Sequence, residues 1–359
     1  MKATEQLHQL GQSLWLDNIT RDLLNDGTLR RYIEELSVTG LTSNPTIFHH
    51  AIKNSLAYDS SITRGLEKGR RGEELFFDLA LEDLSAAADL FRPIYDRTHG
   101  TDGWVSLEVS PLLAYDTKLT MKAAQELHHR AARPNLFIKI PGTKEGLPAI
   151  EESIFAGIPV NVTLLFSCEH YLAAAEAYLR GIERRLAAGL NPNVQSVASL
   201  FISRWDVAIA SRVPENLKDQ LGIAVGMESY HAYCNLIQSP RYLRLLNSGA
   251  AIQRLLFAST GTKDPKASDT LYIEGLAAPF TVNTMPEKTL LAFADHGHVV
   301  DVISSDGLRA SSMLREIKKS GIDLQALGAK LQEEGAASFV ASWKDLISII
   351  NSKSSSCNA

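Results

Sequence analysis

The sequence predicts an α/β fold, namely a closed (β/α)8 TIM barrel with additional C-terminal helices. Short apolar runs alternate with helical periodicity over about 280 residues, a pattern typical of a parallel sheet covered by helices. Eight such runs in a chain of 359 residues favour a closed barrel. The alternative, an open doubly wound sheet, needs a glycine-rich turn after its first strand, but Asn-Ile-Thr-Arg follows Asp17.

The eight predicted strands are short and bounded by turn-forming residues. They are Ser13–Asp17, Val38–Thr42, Trp104–Val109, Leu136–Ile140, Val160–Phe166, Ser196–Ile202, Leu255–Ser259 and Leu271–Glu274, the last leading towards Thr281–Asn283. The eighth run is the weakest, because Pro279 and neighbouring alanines and glycines interrupt it.

Helical periodicity fills the segments between the strands. Apolar residues recur at three- and four-residue intervals in Glu73–Phe91, Lys118–Ala132 and Glu169–Ala188. Beyond the eighth run, Leu324–Glu334 and Ser338–Ile350 predict two further helices. We assign residues 1–351 to a single barrel domain and expect residues 352–359 to form a polar, disordered tail.

Composition argues against several functional classes. The net charge is −5, from 36 Lys and Arg against 41 Asp and Glu. The protein as a whole therefore lacks the positive electrostatic field that attracts nucleic acid. The three cysteines form no CxxC pair and no disulfide framework is expected, which favours a reducing compartment. The N-terminus lacks an apolar signal core, and no run approaches the roughly 18 apolar residues of a membrane helix. We therefore expect a cytoplasmic protein without nucleic-acid or membrane partners.

Polar residues stand at or near the C-terminal end of nearly every predicted strand. They are Asp17, Asn44, Glu108, Lys139, Asn161, Thr163, Ser199, Arg204, Ser259 and Lys263. Active sites of (β/α)8 barrels lie at this end of the strands. Any one of these residues could be an ordinary polar residue meeting solvent, but the whole set predicts a polar site at one mouth of the barrel.

Lys139 is the sharpest of these candidates. It lies in the otherwise apolar run Phe137–Ile140, close to the strand end marked by Pro141. Both faces of a parallel strand are buried, and burying a charged lysine is costly, so this position favours the neutral amine. A neutral amine attacks a ketone to form a Schiff base. The other interpretation is a lysine that reaches solvent at the mouth or pairs with a carboxylate.

Asp17 and Glu108 supply a pair of carboxylates near that lysine. Schiff-base chemistry needs proton transfers, first to lose water from the carbinolamine and then to deprotonate the hydroxyl beside the breaking C–C bond. Two carboxylates can divide these tasks. The alternative is that both acids are only solvated or ion-paired. Glu108 lies within an apolar run, so its position points to a functional role more strongly than that of Asp17 does.

Arg204 and Lys263 follow the sixth and seventh strands, where barrels often bind phosphate. A guanidinium donates forked hydrogen bonds to phosphate, and the hydroxyls of Ser199 and Ser259 could add more. Both cations could instead be ordinary surface charges. The histidine pairs and the segment Asp295–His298 lack a further ligand cluster, so we predict no metal site.

Several of these segments match one known family in both order and spacing. They are Trp15–Asn18, Gly40–Phe48, Val105–Pro111, Ile138–Thr143 and Val160–Ser167, together with Ala258–Lys263 and Val282–Pro286. Over nearly its whole length the chain resembles transaldolase, and the last two segments resemble the longer bacterial branch of that family.

The resemblance implies a barrel with the Schiff-base lysine at Lys139 and with Asp17 as the residue that takes and returns the proton in C–C cleavage. It implies that Glu108 works through a water bonded to Thr163. Asn44 and Asn161 would hold the dihydroxyacetone hydroxyls, and Ser199, Arg204 and Ser259 match phosphate-site positions. The better-known branch has an arginine where this chain has Gly261, and Lys263 is the nearest cation.

The implied reaction is reversible transfer of a dihydroxyacetone unit in the non-oxidative pentose phosphate pathway. Sedoheptulose 7-phosphate or fructose 6-phosphate would be the donor, and glyceraldehyde 3-phosphate or erythrose 4-phosphate the acceptor. No cofactor is expected, and a homodimer is suggested by analogy with the family. Three alternatives are a related aldolase that releases dihydroxyacetone, a barrel that binds sugar phosphates without turnover, and a nicotinamide-dependent oxidoreductase, which the missing glycine turn disfavours.

Overall fold

The computed structural model describes residues 1–357, and within them eight parallel strands close into one barrel in sequence order. The strands are β1 (Ser13–Asp17), β2 (Val38–Thr42), β3 (Trp104–Glu108), β4 (Leu136–Pro141), β5 (Val160–Leu165), β6 (Ser196–Phe201), β7 (Gln253–Ala258) and β8 (Val282–Met285). β8 pairs with β1 and completes the ring. The predicted (β/α)8 barrel is therefore confirmed.

Helices surround the barrel and follow each of its strands. They are α1 (Ala3–Gln9), α2 (Arg21–Asn25), α3 (Thr28–Glu35), α4 (Pro45–Asn54), α5 (Asp59–Glu67), α6 (Gly72–Arg97), α7 (Thr117–Ala131), α8 (Gly146–Ala156), α9 (Cys168–Ala187), α10 (Ser203–Ile209), α11 (Leu221–Ile237), α12 (Pro240–Asn247), α13 (Leu271–Gly275), α14 (Glu287–His296), α15 (Leu308–Lys319) and α16 (Leu324–Cys357). The buried apolar side chains of strands and helices form one continuous cluster.

Aromatic side chains fill part of the barrel interior below the mouth. Trp104 of β3 stacks on Phe137 of β4 with ring centroids 3.9 Å apart, and Trp15 of β1 lies 6.1 Å from Phe137. Gly40 of β2 makes room for this layer, because a Cβ there would lie 2.7 Å from the Trp15 indole. Each aromatic residue lies two or four positions before a predicted site residue, so it points to the same side of its strand.

Two predicted elements at the end of the barrel are wrong. Residues Leu271–Glu274 do not start the eighth strand but form most of helix α13, and β8 begins at Val282. The two predicted C-terminal helices are one continuous helix, α16, which runs from Leu324 to Cys357.

The predicted disordered tail is wrong as far as Cys357, because residues 352–357 extend α16. Lys353 anchors this end, since its Nζ donates to Asp59 Oδ1 at 2.7 Å and to the Ser55 carbonyl at 2.8 Å. The last two residues of the predicted tail, 358 and 359, lie outside the described residues.

Helix α16 packs along α4, α5 and α6 and reaches the C-terminal end of the barrel. Trp343 makes an edge contact with Phe76 of α6 at 5.0 Å between ring centroids. Nearer its start, Gln332 donates from Nε2 to the Gly142 carbonyl at 3.2 Å and to the Leu164 carbonyl at 2.9 Å. The helix is thus joined directly to the ends of β4 and β5.

Candidate active site

Three of the predicted polar residues lie side by side across adjacent strands. In the sheet register Glu108 of β3 is paired with Lys139 of β4, and Lys139 is paired with Asn161 of β5. Laterally paired residues of parallel strands point to the same face, and here that face is the barrel interior. Lys139 Nζ lies 3.3 Å from Glu108 Oε2 and donates to the Ser43 carbonyl at 3.2 Å.

The lysine and its neighbouring acid are both removed from solvent. Lys139 is 5% exposed and Glu108 4% exposed. Burial raises the pKa of Glu108, and the nearby Lys139 opposes that rise. Burial likewise raises the pKa of Asp17, opposed by Lys139, by a hydrogen bond from Thr42 and by Lys263. Both acids therefore hold a proton more readily than ordinary carboxylates, which suits groups that exchange protons during a reaction.

A cavity of about 230 Å³ opens above Lys139 at the C-terminal end of the strands. Eight of the ten predicted site residues line it, namely Asp17, Asn44, Lys139, Thr163, Ser199, Arg204, Ser259 and Lys263. The other two, Glu108 and Asn161, do not line the cavity and are buried beside Lys139. The strand-end residues of six strands thus meet at one mouth, with Lys139 among the residues that line it.

The two predicted asparagines already have protein partners. Asn161 donates from Nδ2 to Ser106 Oγ at 3.1 Å, and its Oδ1 accepts from Ser199 Oγ at 2.7 Å. Asn44 caps helix α4, because its Oδ1 accepts from the Ile47 amide at 3.0 Å. In both residues the amide nitrogen retains a hydrogen that these bonds do not use.

Three buried oxygens near the lysine have no hydrogen-bond partner among the described residues. They are Thr163 Oγ1 and both carboxyl oxygens of Glu108, of which Oε2 lies 3.3 Å from Lys139 Nζ in the ion pair. Buried polar atoms of this kind are normally satisfied by ordered water or by a ligand. These oxygens are therefore free to bond to a water or to a substrate group.

Cations and hydroxyls occupy the β6 and β7 side of the mouth. The Arg204 guanidinium lies 5.4 Å from the centre of the Phe201 ring, and burial lowers the pKa of Arg204. Ser259 Oγ lies 3.0 Å from Ser203 Oγ, and Ser259 adopts a left-handed φ of 56°. Lys263 is exposed at the rim. A phosphate group is the anion that such a cluster would bind.

Nine of the residues that line the mouth were not among the predicted site residues, and four of these stand out. Thr42 and Thr284 contribute hydroxyls beside Asp17, and Phe201 and Phe339 contribute apolar walls. Phe339 comes from α16 and lies with its ring centre 5.9 Å from Lys139 Nζ. A signal existed for Thr42, which stands in the polar end of β2. The amphipathic run Phe339, Trp343, Leu346, Ile347 and Ile350 also suggested a C-terminal helix that covers the mouth, although Phe339 itself was not selected as a site residue.

Comparison with known proteins places the chain in a family. A family model described as transaldolase/fructose-6-phosphate aldolase matches residues 14–350. The chain belongs to this family. It is 41% identical to a transaldolase of Thiobacillus denitrificans over 98% of this chain and 100% of the relative. It is 43% identical to a transaldolase of Arthrobacter sp. over 96% and 95%, and 39% identical to transaldolase 2 of Nostoc punctiforme over 97% and 96%.

Membership of this family agrees with the geometry of the mouth. The relatives support transaldolase function, and hence a transferase, for the chain. Within residues 1–357 no group of three or more His, Cys, Asp or Glu side chains is arranged to hold a metal ion. Among the same residues no helix is both long enough and apolar enough to cross a membrane.

Proposed function

We propose that the chain transfers a dihydroxyacetone unit from sedoheptulose 7-phosphate or fructose 6-phosphate to an aldose phosphate through a Schiff base on Lys139. The observation that carries this proposal is a buried lysine amine 3.3 Å from a buried carboxylate, at a mouth that also holds a second acid and a cationic rim. Transfer of this unit belongs to the non-oxidative pentose phosphate pathway.

The first half of the reaction builds the covalent intermediate. The neutral amine of Lys139 attacks the ketone carbon of the donor, and the carbinolamine then loses water. Glu108 supplies and accepts the protons for these steps through a water that also bonds to Thr163, since both residues present an unpaired buried oxygen. The protein's own hydrogen bonds leave both amide hydrogens on Asn44 and one on Asn161 for the hydroxyls of the three-carbon unit.

The second half breaks and remakes a carbon–carbon bond. Asp17 removes the proton of the hydroxyl beside that bond, the bond breaks, and its electron pair passes to the protonated imine on Lys139, which becomes an enamine. An aldose phosphate leaves, the acceptor aldehyde enters, and the enamine attacks it while Asp17 returns the proton. Water then adds to the iminium on Lys139, and the resulting carbinolamine releases the ketose product and the free amine. Because the iminium on Lys139 takes up the electrons, the reaction needs no cofactor.

Arg204 and Lys263 would hold the substrate phosphate, aided by the hydroxyls of Ser199 and Ser259. Position 261 is poorly suited to a long side chain, because a Cβ there would lie 3.0 Å from Pro286 Cγ. The cation two residues later, Lys263, lines the same cavity and takes the place of the family arginine.

Replacing Lys263 by methionine tests this phosphate site. We expect the Lys263→Met variant to raise the KM for erythrose 4-phosphate about threefold to tenfold, because one charge-assisted contact to phosphate is lost. The kcat with unphosphorylated glyceraldehyde as acceptor should change little. Lys266→Met, an exposed lysine three residues on, is the matched control. Equal KM values for both variants and the unmodified protein would show that Lys263 does not bind the substrate phosphate.

Helix α16 favours transfer over release of free dihydroxyacetone, which is the aldolase alternative. Phe339 lies above Lys139, and Gln332 ties the helix to the carbonyls that end β4 and β5. An apolar cover keeps water from protonating the enamine while it waits for an aldehyde.

Opening this cover should change the fate of the enamine. We expect Phe339→Ala to increase release of free dihydroxyacetone relative to transfer by about threefold or more. Leu346→Ala removes a buried side chain from the same helix without touching the cavity, and it controls for general loosening of α16. A shielding role would be contradicted if the ratio of released dihydroxyacetone to transferred product stays the same in Phe339→Ala, or if it rises equally in both variants.

Product analysis separates the proposed function from its alternatives. Fructose 6-phosphate supplied with erythrose 4-phosphate should yield sedoheptulose 7-phosphate and glyceraldehyde 3-phosphate. An aldolase would instead produce free dihydroxyacetone at the same rate with or without the acceptor, and a binding protein would bind the sugar without turnover.

We also propose a cytoplasmic enzyme that forms a homodimer, with a single barrel domain that extends past the predicted boundary at residue 351 to include all of α16. The domain assignment is supported by the continuous core that joins the barrel to α16. The dimer rests on analogy with the family, and light scattering of the full chain tests it.

A further inference from the structure

Asp17 stands at the end of a chain of hydroxyl groups that crosses three adjacent strands. Thr42 Oγ1 of β2 donates to Asp17 Oδ1 of β1 at 2.7 Å. Thr284 Oγ1 of β8 lies 2.8 Å from Thr42 Oγ1. β2 and β8 are the two neighbours of β1 in the closed barrel, so the chain reaches Asp17 through one flanking strand and begins on the other.

The direction of the hydrogen bonds in this chain follows from the chemistry of its groups. An ionised carboxylate only accepts hydrogen bonds, and a threonine hydroxyl has a single hydrogen to donate. Thr42 gives that hydrogen to Asp17, so the bond between the two hydroxyls must be donated by Thr284. Both threonines are 2% exposed, so water does not readily replace either partner.

Thr284 is itself fixed in place by the β7 side of the barrel. Thr260 Oγ1 lies 2.9 Å from the Thr284 carbonyl and 3.0 Å from Asn283 Oδ1. The backbone of Thr284 is also paired with Trp15, two residues before Asp17. The start of the hydroxyl chain is therefore rigid, which is what a group that orients a catalytic side chain needs.

We propose that Thr284 is a positioning residue for the Asp17 carboxylate and acts through Thr42. The hydroxyl chain occupies Oδ1, so Oδ2 is the oxygen that takes the substrate proton. The hydroxyl chain also stabilises the charged carboxylate, because a hydrogen bond donated to the ionised form favours that form. This inference rests on the proposed role of Asp17 as the proton acceptor.

The other groups around Asp17 act independently of this chain. Lys139 of β4 and Lys263 after β7 favour its ionised form, and Glu108 of β3 interacts with it as a like charge. Glu287 at the start of α14 bonds to Asn18, the next residue along. A change at position 284 leaves all of these charges in place, so its effect on Asp17 is separable from theirs.

The test compares Thr284→Val, which is nearly isosteric but cannot donate, with Thr284→Ser, which retains the hydroxyl. We expect Thr284→Val in the full chain to lower kcat about fivefold to tenfold with little change in KM. As the pH is lowered, the rate of this variant should fall at a higher pH than the rate of the unmodified protein. The reason is that the variant lacks the complete hydroxyl chain that stabilises the ionised form of Asp17. Thr284→Ser should restore both properties. Borohydride trapping of the fructose 6-phosphate adduct should be equal in all three proteins, which shows that the fold and Lys139 are intact.

A double-variant cycle with Thr42→Val tests the order of the chain. If Thr284 acts through Thr42, adding Thr284→Val to Thr42→Val should cost little more than Thr42→Val alone. Fully additive losses, or a Thr284→Val pH profile that matches the unmodified protein, would overturn the proposal while leaving the Asp17 mechanism intact. If Asp17→Asn itself retains normal cleavage, the proposed function fails at this residue and the inference fails with it.

Discussion

The Lys139→Met variant is expected to lose transfer activity by at least about 10³-fold, because no other group can form the imine that stores the electrons of the broken bond. Lys139 is the lysine that lines the floor of the mouth beside a carboxylate, whereas Lys263 stands exposed at its rim. Initial rates with fructose 6-phosphate and erythrose 4-phosphate measure the loss. The control is Lys144→Met, an exposed lysine just beyond the end of β4.

Loss of folding must be separated from loss of chemistry in this experiment. Removing Lys139 alone leaves the buried Glu108 carboxyl without its partner, which destabilises a protein strongly unless the acid takes up a proton. The double variant Lys139→Met with Glu108→Gln removes both ionisable groups together and should unfold at a temperature closer to that of the unmodified protein. A stably folded variant without Lys139 that keeps more than about a tenth of the activity would contradict covalent catalysis at this residue.

The Asp17→Asn variant should lose about 10²-fold to 10⁴-fold in rate, the range typical of a removed general acid–base group, while still forming the Schiff base. The amide oxygen of asparagine can keep the hydrogen bond from Thr42, so the geometry of the mouth should be conserved. Borohydride should therefore trap an adduct that retains the whole carbon chain of the donor. Asp22→Asn, an exposed acid on α2, is the control.

The pH dependence of the unmodified protein tests the same role. Burial raises the pKa of Asp17, and the carboxylate must be ionised to accept the substrate proton. The cleavage rate should therefore fall as the pH drops through a value above that of an ordinary aspartate. An Asp17→Asn variant that cleaves the donor at the normal rate would assign the proton transfer to another group.

The barrel and most of its mouth could be predicted because their signals are local in the sequence. A lysine inside an otherwise apolar strand, and acids at the ends of two others, mark positions that a folded core would normally exclude. In the structure Lys139 and Glu108 are buried as neighbours, and Asp17 shares the cavity with Lys139. The assumption that residues at the carboxyl ends of parallel strands converge was enough to group them.

The eighth strand could not be located from local pattern alone. A short apolar run such as Leu271–Glu274 is compatible with either a helix or a strand. Tertiary contacts decide for the helix, since Tyr272 donates its hydroxyl to the buried Asp206 at 2.8 Å and Ile273 is fully buried. The true strand, Val282–Met285, has only four residues and two of them are polar.

The C-terminal region was assigned wrongly for a different reason. The two predicted helices leave residues 335–337 between them, yet Gly335 lies within α16, where a Cβ would approach Leu164 to 3.1 Å. A Cβ at Gly328 would likewise lie 3.2 Å from the Trp205 ring. These glycines allow the helix to approach the barrel closely instead of ending it, and only the assembled fold reveals that purpose.

The hydroxyl chain of Thr42 and Thr284 was out of reach of sequence reasoning as well. Threonine is common in strands, and the two residues are far apart in the sequence. Their relation to Asp17 exists only because the barrel closes and makes β2 and β8 neighbours of β1.

Trapping the intermediate is a direct test of covalent catalysis at Lys139. The protein is incubated with fructose 6-phosphate and borohydride, and the modified residue is located by peptide mass spectrometry. We predict a reduced three-carbon or hexose-phosphate adduct on Lys139, and loss of the three-carbon adduct when erythrose 4-phosphate is added before the reductant. Active, correctly folded protein that gives no adduct on Lys139 would contradict the Schiff-base mechanism.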